Sequence, residues 1–200
     1  MLNNQFYQQD NVLQISKDLL GKVLVTNFNN QLTSGMIVET EAYRAPDDKA
    51  CHAYNNKKTE RTKTMFEAGG IAYIYLCYGI HHLFNIVTST EGNAHAVLIR
   101  AIEPVDNVEL MLKRRNFSTQ KPQLTAGPGV LTKALGITTE NNGMDLTKKN
   151  SEIWIEDRGI QIAKKDIIAS PRVGVDYAEE CAAWPWRFRI KNNRWTSKAK

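Results

Sequence analysis

The stretch Gly35-Met36-Ile37-Val38-Glu39-Thr40-Glu41-Ala42-Tyr43 reads as a strand that enters apolar and leaves carrying two carboxylates. Side chains alternate across an extended chain, so Glu39, Glu41 and Tyr43 share one face, Thr40 and Ala42 the other. A carboxylate beside an aromatic ring at the end of a buried strand suits a general base, because partial burial tunes its proton affinity. Pro46 stops the strand, and Asp47 can cap a short helix carrying His52 back toward the carboxylates. The plainer alternative makes Glu39 and Glu41 solvated strand residues and His52 a surface residue. Spacing alone leaves both open.

Toward the amino terminus, Asp10, an apolar stripe (Val12, Leu13, Ile15, Leu19, Leu20) and Gly21 predict a helix over 10–20. A strand over 22–27 and an Asn-rich turn over 27–31 lead into the central strand. Past it, residues 55–63 are polar and basic without a periodic apolar face, hence a loop. Residues 71–88 have β-branched and aromatic flanks around Gly79, which predicts a hairpin turning over 78–81. Residues 96–103 read as a buried strand with one charge, Arg100, closed by Pro104. Residues 105–115 read as a helix. Gly127-Pro128-Gly129 opens a short helix stopped by Gly136. Free N–H groups at such a start can hold a phosphate, although most such turns hold nothing. Further strands are predicted over 153–155, 160–163 and Arg187–Ile190. With no repeat, low-complexity linker or composition break, the expectation is one α+β domain over 1–200. Its strands are mostly antiparallel with helices around them, and residues 1–9 and 196–200 are flexible tails.

Two hundred residues suffice for one sizeable core, and 42% hydrophobic with 24% charged residues is ordinary for a globular protein. The longest apolar run, 71–80, is broken by tyrosines and Gly79 and too short for a bilayer. The first residues lack the basic charge and apolar core of a signal peptide, so a cytoplasmic location is expected, at the nucleoid in a bacterium. Cys51, Cys77 and Cys181 form no Cys-x-x-Cys pair. Cys51 and His52 would diverge by about 100° on a helix, with no second pair to complete a tetrahedron, so no metal is expected. The formal charge of +5 favours a polyanionic partner. Lys57, Lys58, Arg61 and Lys63 flank the proposed site, where a phosphate backbone would need holding. Lys113-Arg114-Arg115 form a further run, and the carboxy-terminal tail holds Arg187, Arg189, Lys191, Arg194, Lys198 and Lys200.

Val38-Glu39-Thr40-Glu41-Ala42-Tyr43, residues 48–52, Tyr75-Leu76-Cys77-Tyr78-Gly79, Asn85, residues 98–104 and Gly127-Pro128-Gly129-Val130-Leu131 stand in the order and spacing of one family. The chain resembles the alkyladenine (3-methyladenine, methylpurine) DNA glycosylases from Asp10 to Trp195. Each motif is weak alone; the ordered set is specific. The resemblance implies a curved antiparallel sheet with a protruding hairpin. It also implies a monomeric, cofactor-free base-excision repair enzyme that flips a damaged purine from double-stranded DNA and hydrolyses its N-glycosidic bond. Substrates on this reading are 3-methyladenine and 7-methylguanine, with hypoxanthine and ethenoadenine as further candidates. Glu41 matches the general base; Arg100 and the Val173 backbone match groups that hold the attacking water. Tyr43, His52 and Tyr75 match the rings that sandwich the base, and Asn85 and Leu98 line the same pocket. Tyr78 matches the wedge that fills the duplex, with Ile80 and His81 beside it. Thr59, Arg61, Gly127 and Gly129 are the remaining DNA contacts. His81, Lys49 and Cys51 depart from the family pattern, and the tail beyond Trp195 has no counterpart. No lysine stands in the motif to form a Schiff base, so strand nicking is not expected. A module that binds distorted duplex without turnover is the competing reading.

Overall fold

The computed structural model describes residues 1–198. Eight strands form one antiparallel sheet: β1 (Val23–Phe28), β2 (Gln31–Arg44), β3 (Ala72–Cys77), β4 (His81–Thr88), β5 (His95–Asp106), β6 (Ile153–Glu156), β7 (Ile167–Ser170) and β8 (Arg187–Ile190). Among the described residues four α-helices surround it: α1 (Asn4–Tyr7), α2 (Val12–Asp18), α3 (Val108–Arg115) and α4 (Pro128–Leu135). The main order is β3-β4-β5-β2-β1-β6, with β8 paired to β2 and β7 to β8. The 14-residue β2 is the spine. Its first half pairs with β1, its second half with β8 through Glu39–Glu41, and its other edge with β5 from Ser34 to Arg44. Register shifts against β5 at 37/39 and 39/40 sit beside the carboxylates; such bulges re-aim side chains at functional sites.

The apolar face of β2 (Ile37, Val38, Ala42) packs with Ile15 and Leu19, Phe84 and Ile86, and Ile99 and Ile102 in the main core. Thr40 points the same way, its hydroxyl donating to the Ser16 carbonyl of α2 at 2.8 Å. The alternation read from the sequence is thus realised. Two smaller clusters lie across the sheet: Ala45, Cys51, Ala53, Met65, Phe66 and Tyr73, and then Ala50, Val175, Ala178 and Cys181. Tyr43 packs on both.

The hairpin, the α4 helix with Gly136 after it, and β8 fall where expected. Other segments differ. Residues 47–52 make turns, with the Asp48 carboxylate rather than Asp47 accepting the Ala50 N–H at 3.0 Å. Pro104 does not end β5, which runs to Asp106. It sits opposite Gly35 beside a register shift and beyond the reach of β4, where a missing N–H is tolerated. Residues 160–163 form no strand; the one that pairs with β8 is β7, four residues later, and Ile160 stays 41% exposed. Residues 105–107 belong to β5 and its exit, so α3 starts at Val108.

The first nine residues carry α1, with Tyr7 fully buried and the Leu2 N–H on the Ile155 carbonyl at 2.7 Å. At the other end Trp195 and Ser197 are buried; residues 199–200, part of the expected tail and including Lys200, lie outside the described residues.

Candidate active site

The second half of β2 brings both carboxylates to the polar face of the sheet, fully buried. A buried carboxylate is costly unless paired and hydrogen-bonded. Glu41 accepts two hydrogen bonds, from the Tyr43 hydroxyl on Oε2 (2.8 Å) and from the Val173 N–H on Oε1 (2.9 Å), and its Oε1 forms an ion pair with Arg100 Nη1 at 3.2 Å. Of about four acceptor positions on a carboxylate, one on Oε2 remains for a further partner. Glu39 accepts from Arg100 Nε and Arg187 Nε, and Asp48 pairs with Arg172. Three buried carboxylates therefore meet three buried guanidiniums. Burial alone would lower the Arg100 pKa, but Glu41 and Glu39 raise it above its ordinary value. Burial pushes the Tyr43 phenol well up, with Glu41 adding to it, so Tyr43 stays a donor. The solvated reading of Glu39 and Glu41 does not hold.

Glu41 lies on a cavity of about 710 Å³. Tyr43, His52, Tyr75, Asn85, Leu98, Arg100 and Val173 all line it, so residues 132 positions apart in the chain share one chamber. The His52 and Tyr75 rings meet nearly edge to face at 4.5 Å. His52 Nδ1 lies 2.9 Å from the Tyr73 hydroxyl, and Arg61 Nη2 donates to its Nε2 at 3.4 Å. Burial, with Arg61 adding to it, lowers the His52 pKa to about 4, so the imidazole is neutral at pH 7. Asn85 is fixed by donating Nδ2 to the carbonyls of Tyr73 (3.0 Å) and Leu83 (3.3 Å). Behind Tyr43, the Arg172 guanidinium stacks at 4.7 Å from the ring.

The β3–β4 hairpin overhangs the cavity. Tyr78 and Gly79 both have positive φ (50° and 74°), and the Ile80 N–H closes the turn on the Cys77 carbonyl at 3.1 Å. A tyrosine in that region is strained, and Tyr78 stands 88% exposed, next to Ile80 at 70%. The hairpin root rests on α4: a Cβ at Gly129 would come within 2.9 Å of His81, and Thr132 donates to the His82 carbonyl at 2.8 Å. Arg61, Tyr78, His81, Gly127 and Gly129 reach the cavity wall or rim. Ile80 and Thr59 do not; Thr59 instead closes its own loop through Thr62.

This chamber, with its carboxylate, aromatic walls and the exposed tyrosine above it, is set on a chain that matches the methylpurine-DNA glycosylase family over residues 5–194. The chain belongs to that family. A Chlamydia felis protein is 50% identical over 191 residues, covering 95% of this chain and 96% of its own. One from Chlamydia abortus is 49% identical over 199 residues, covering 96% and 100%. One from Bacillus cereus (strain G9842) is 44% identical over 199 residues, covering 96% and 97%. All three are named "Putative 3-methyladenine DNA glycosylase".

The methylpurine-DNA glycosylase motifs named Glu41 and the three groups on it, Tyr43, Arg100 and Val173, but not the residues around them. Tyr73 joins the pocket two residues before Tyr75 on one face of β3, which the alternation of that strand could have revealed. Tyr177, 67% exposed at the rim, carried no signal. Neither did Asp48–Arg172, whose partners lie 124 residues apart, nor Ser197 on Glu39, 158 residues away.

Proposed function

We propose that the protein is a monofunctional DNA glycosylase. It everts an alkylated purine from duplex DNA into the cavity and hydrolyses its N-glycosidic bond with water activated by Glu41. The observation that carries this reading is Glu41, held by two hydrogen bonds and the Arg100 ion pair with an acceptor position left on Oε2, on the wall of an aromatic chamber.

A stacked nucleotide hides its sugar–base bond, so the target must leave the helix and its place be filled. Tyr78, projecting at the hairpin tip, is the wedge. Lys57, Lys58 and Lys63, with Arg61 at the cavity rim, hold phosphates. Alkylation at N3 or N7 makes the purine cationic and a good leaving group. Tyr43 and Tyr75 attract such a cation by about 0.5–2 kcal/mol per ring. Glu41 takes a proton from water attacking C1′, and its charge favours the oxocarbenium-like transition state. Arg100 and the Val173 backbone carbonyl hold that water. Asn85 crowds the exocyclic amino group of undamaged guanine.

His52, neutral at pH 7, brings no proton for the departing base. This favours 3-methyladenine and 7-methylguanine over neutral hypoxanthine or ethenoadenine, which need protonation to leave. Among the described residues no lysine lines the cavity, so release without strand cleavage is expected. No helix of the described residues is long and apolar enough to cross a membrane. The enzyme acts as a monomer without a cofactor. A pure binding module would have no use for a buried carboxylate beside phosphate-binding lysines.

The test is incubation with randomly methylated duplex and chromatography of the free bases. Wild type should release 3-methyladenine and 7-methylguanine and leave the strand intact. Glu41→Gln should slow release by roughly 10²–10⁴-fold, the usual share of a general base, while still binding an abasic-site mimic. Release by Glu41→Gln at the wild-type rate would remove Glu41 from the mechanism.

A further inference from the structure

Glu39 is fully buried and does not line the cavity, yet four donors converge on it. Arg100 Nε (2.9 Å), Arg187 Nε (2.8 Å) and the Ser197 hydroxyl (2.8 Å) reach Oε1, and the Ser197 N–H reaches Oε2 at 2.6 Å. The Arg100 fork is thereby divided between two carboxylates, Nε on Glu39 and Nη1 on Glu41. A guanidinium is rigid and planar, so fixing its Nε limits where its outer nitrogens can lie. Rotation of the Glu39 carboxylate would carry Arg100 with it, and the Ser197 N–H is the donor on Oε2 that resists such rotation.

The segment supplying that donor is itself fastened. Trp195 is buried in the main core, its N–H on Asn193 Oδ1 at 2.8 Å, and the Thr196 hydroxyl donates to the Asn193 carbonyl at 3.0 Å. These local bonds fold the chain back over β2 and β8. Ser197 lies beyond the 5–194 family match.

We propose that residues 195–197 are a positioning latch for Arg100: Ser197 fixes Glu39, Glu39 fixes Arg100 Nε, and Arg100 is thereby aimed at Glu41. The effect on rate rests on the glycosylase reading above; the effect on Arg100 does not.

The experiment uses the full chain with Ser197→Pro (no N–H, no hydroxyl), Ser197→Ala (no hydroxyl) and Ser197→Thr (both kept). Three readouts are single-turnover base release from methylated duplex, affinity for a duplex carrying a tetrahydrofuran abasic mimic, and the Arg100 Nε–H NMR resonance, assigned by its loss in Arg100→Lys. Release should slow roughly tenfold for Ser197→Pro and roughly threefold for Ser197→Ala, as expected for a misaimed group. Ser197→Thr should stay near wild type, with abasic-mimic affinity unchanged throughout. The resonance should shift or broaden in Ser197→Pro and hold in Ser197→Thr. Thr26→Val, on a strand away from the cavity, removes a buried hydroxyl bonded to Thr33 and the Leu135 carbonyl. It should lower the melting temperature and leave rate and resonance alone, which separates positioning from stability. Wild-type release and an unmoved resonance in folded Ser197→Pro overturn the latch. If that variant does not fold, the same result in Ser197→Ala overturns it. If wild type releases no base, the glycosylase reading falls and the resonance still decides the latch.

Discussion

Replacing Asp48 by Asn removes the anion from an ion pair whose two side chains are both fully buried. Arg172 Nη2 lies 2.7 Å from Asp48 Oδ1, and the same guanidinium donates to the Ala42 carbonyl (2.9 Å) and the Cys181 carbonyl (3.2 Å). Burial lowers the Arg172 pKa and Asp48 raises it above its ordinary value; a guanidinium starts so far above neutrality that it stays charged when that partner is lost. Stranding one charge of a buried pair costs about 3–5 kcal/mol. Here the two carbonyls and the faces of Tyr43 (4.7 Å) and Trp186 (5.2 Å) remain as partners. The low end, about 3 kcal/mol, is therefore expected. At about 2–4 °C per kcal/mol for a domain of this size, the melting temperature should fall by about 6–12 °C. Thermal melts and urea titrations with an unchanged slope would measure it. Asp48→Asn with Arg172→Met removes the stranded charge as well and should recover part of the loss, since buried pairs are often replaceable by apolar groups. Arg172 also precedes Val173, whose N–H holds Glu41, so Asp48→Asn should slow base release at temperatures where the variant is fully folded. A melting temperature within 2 °C of wild type, or a double variant no better than the single, would refute the reasoning.

Tyr78→Asn should trade stability against function. Asparagine tolerates positive φ, so the melting temperature should hold or rise, while affinity for a duplex with a flipped lesion falls by about 1–3 kcal/mol; wild-type affinity would mean that the tip does not intercalate. Asn85→Ser shortens a side chain pinned to the Tyr73 and Leu83 carbonyls and should admit undamaged guanine, read as its release from unmethylated DNA. An unaltered product spectrum would count against Asn85 as a steric gate. The depressed His52 pKa gives stability present above the unfolded value near 6.5 and lost as pH falls toward about 4, because the unfolded chain binds the proton first. The urea midpoint of wild type should therefore drop more between pH 7 and pH 5 than that of His52→Asn; parallel slopes would mean that His52 is not held neutral.

What the chain betrays before folding is what neighbours in sequence decide. The alternation in 35–43, the Tyr78-Gly79 turn and the Gly-Pro-Gly helix start are local, and each stands where its residues put it. Residues 160–163 and 167–170 carry comparable β-branched content, and only pairing with β8 selects the second. The expected helix over 47–52 fails for a similar reason: the Asp48 carboxylate is bound to an arginine 124 residues away and holds its loop in turns. The supports of the site are likewise distant, yet they are not beyond reasoning. Two glutamates on the inner face of a strand cannot be buried alone, since an unpaired carboxylate there costs several kcal/mol. The pattern Glu39-Thr40-Glu41 therefore demands cations from other buried segments, and arginine is favoured because it forks between two acceptors. Arg100 among Leu98, Ile99, Ala101 and Ile102 is a lone charge in an apolar run, and Arg187 stands between Trp186 and Phe188. Both meet Glu39, and Arg100 reaches Glu41 as well. A charge in an apolar strand, unexplained where it stands, points to the opposite charge it must find.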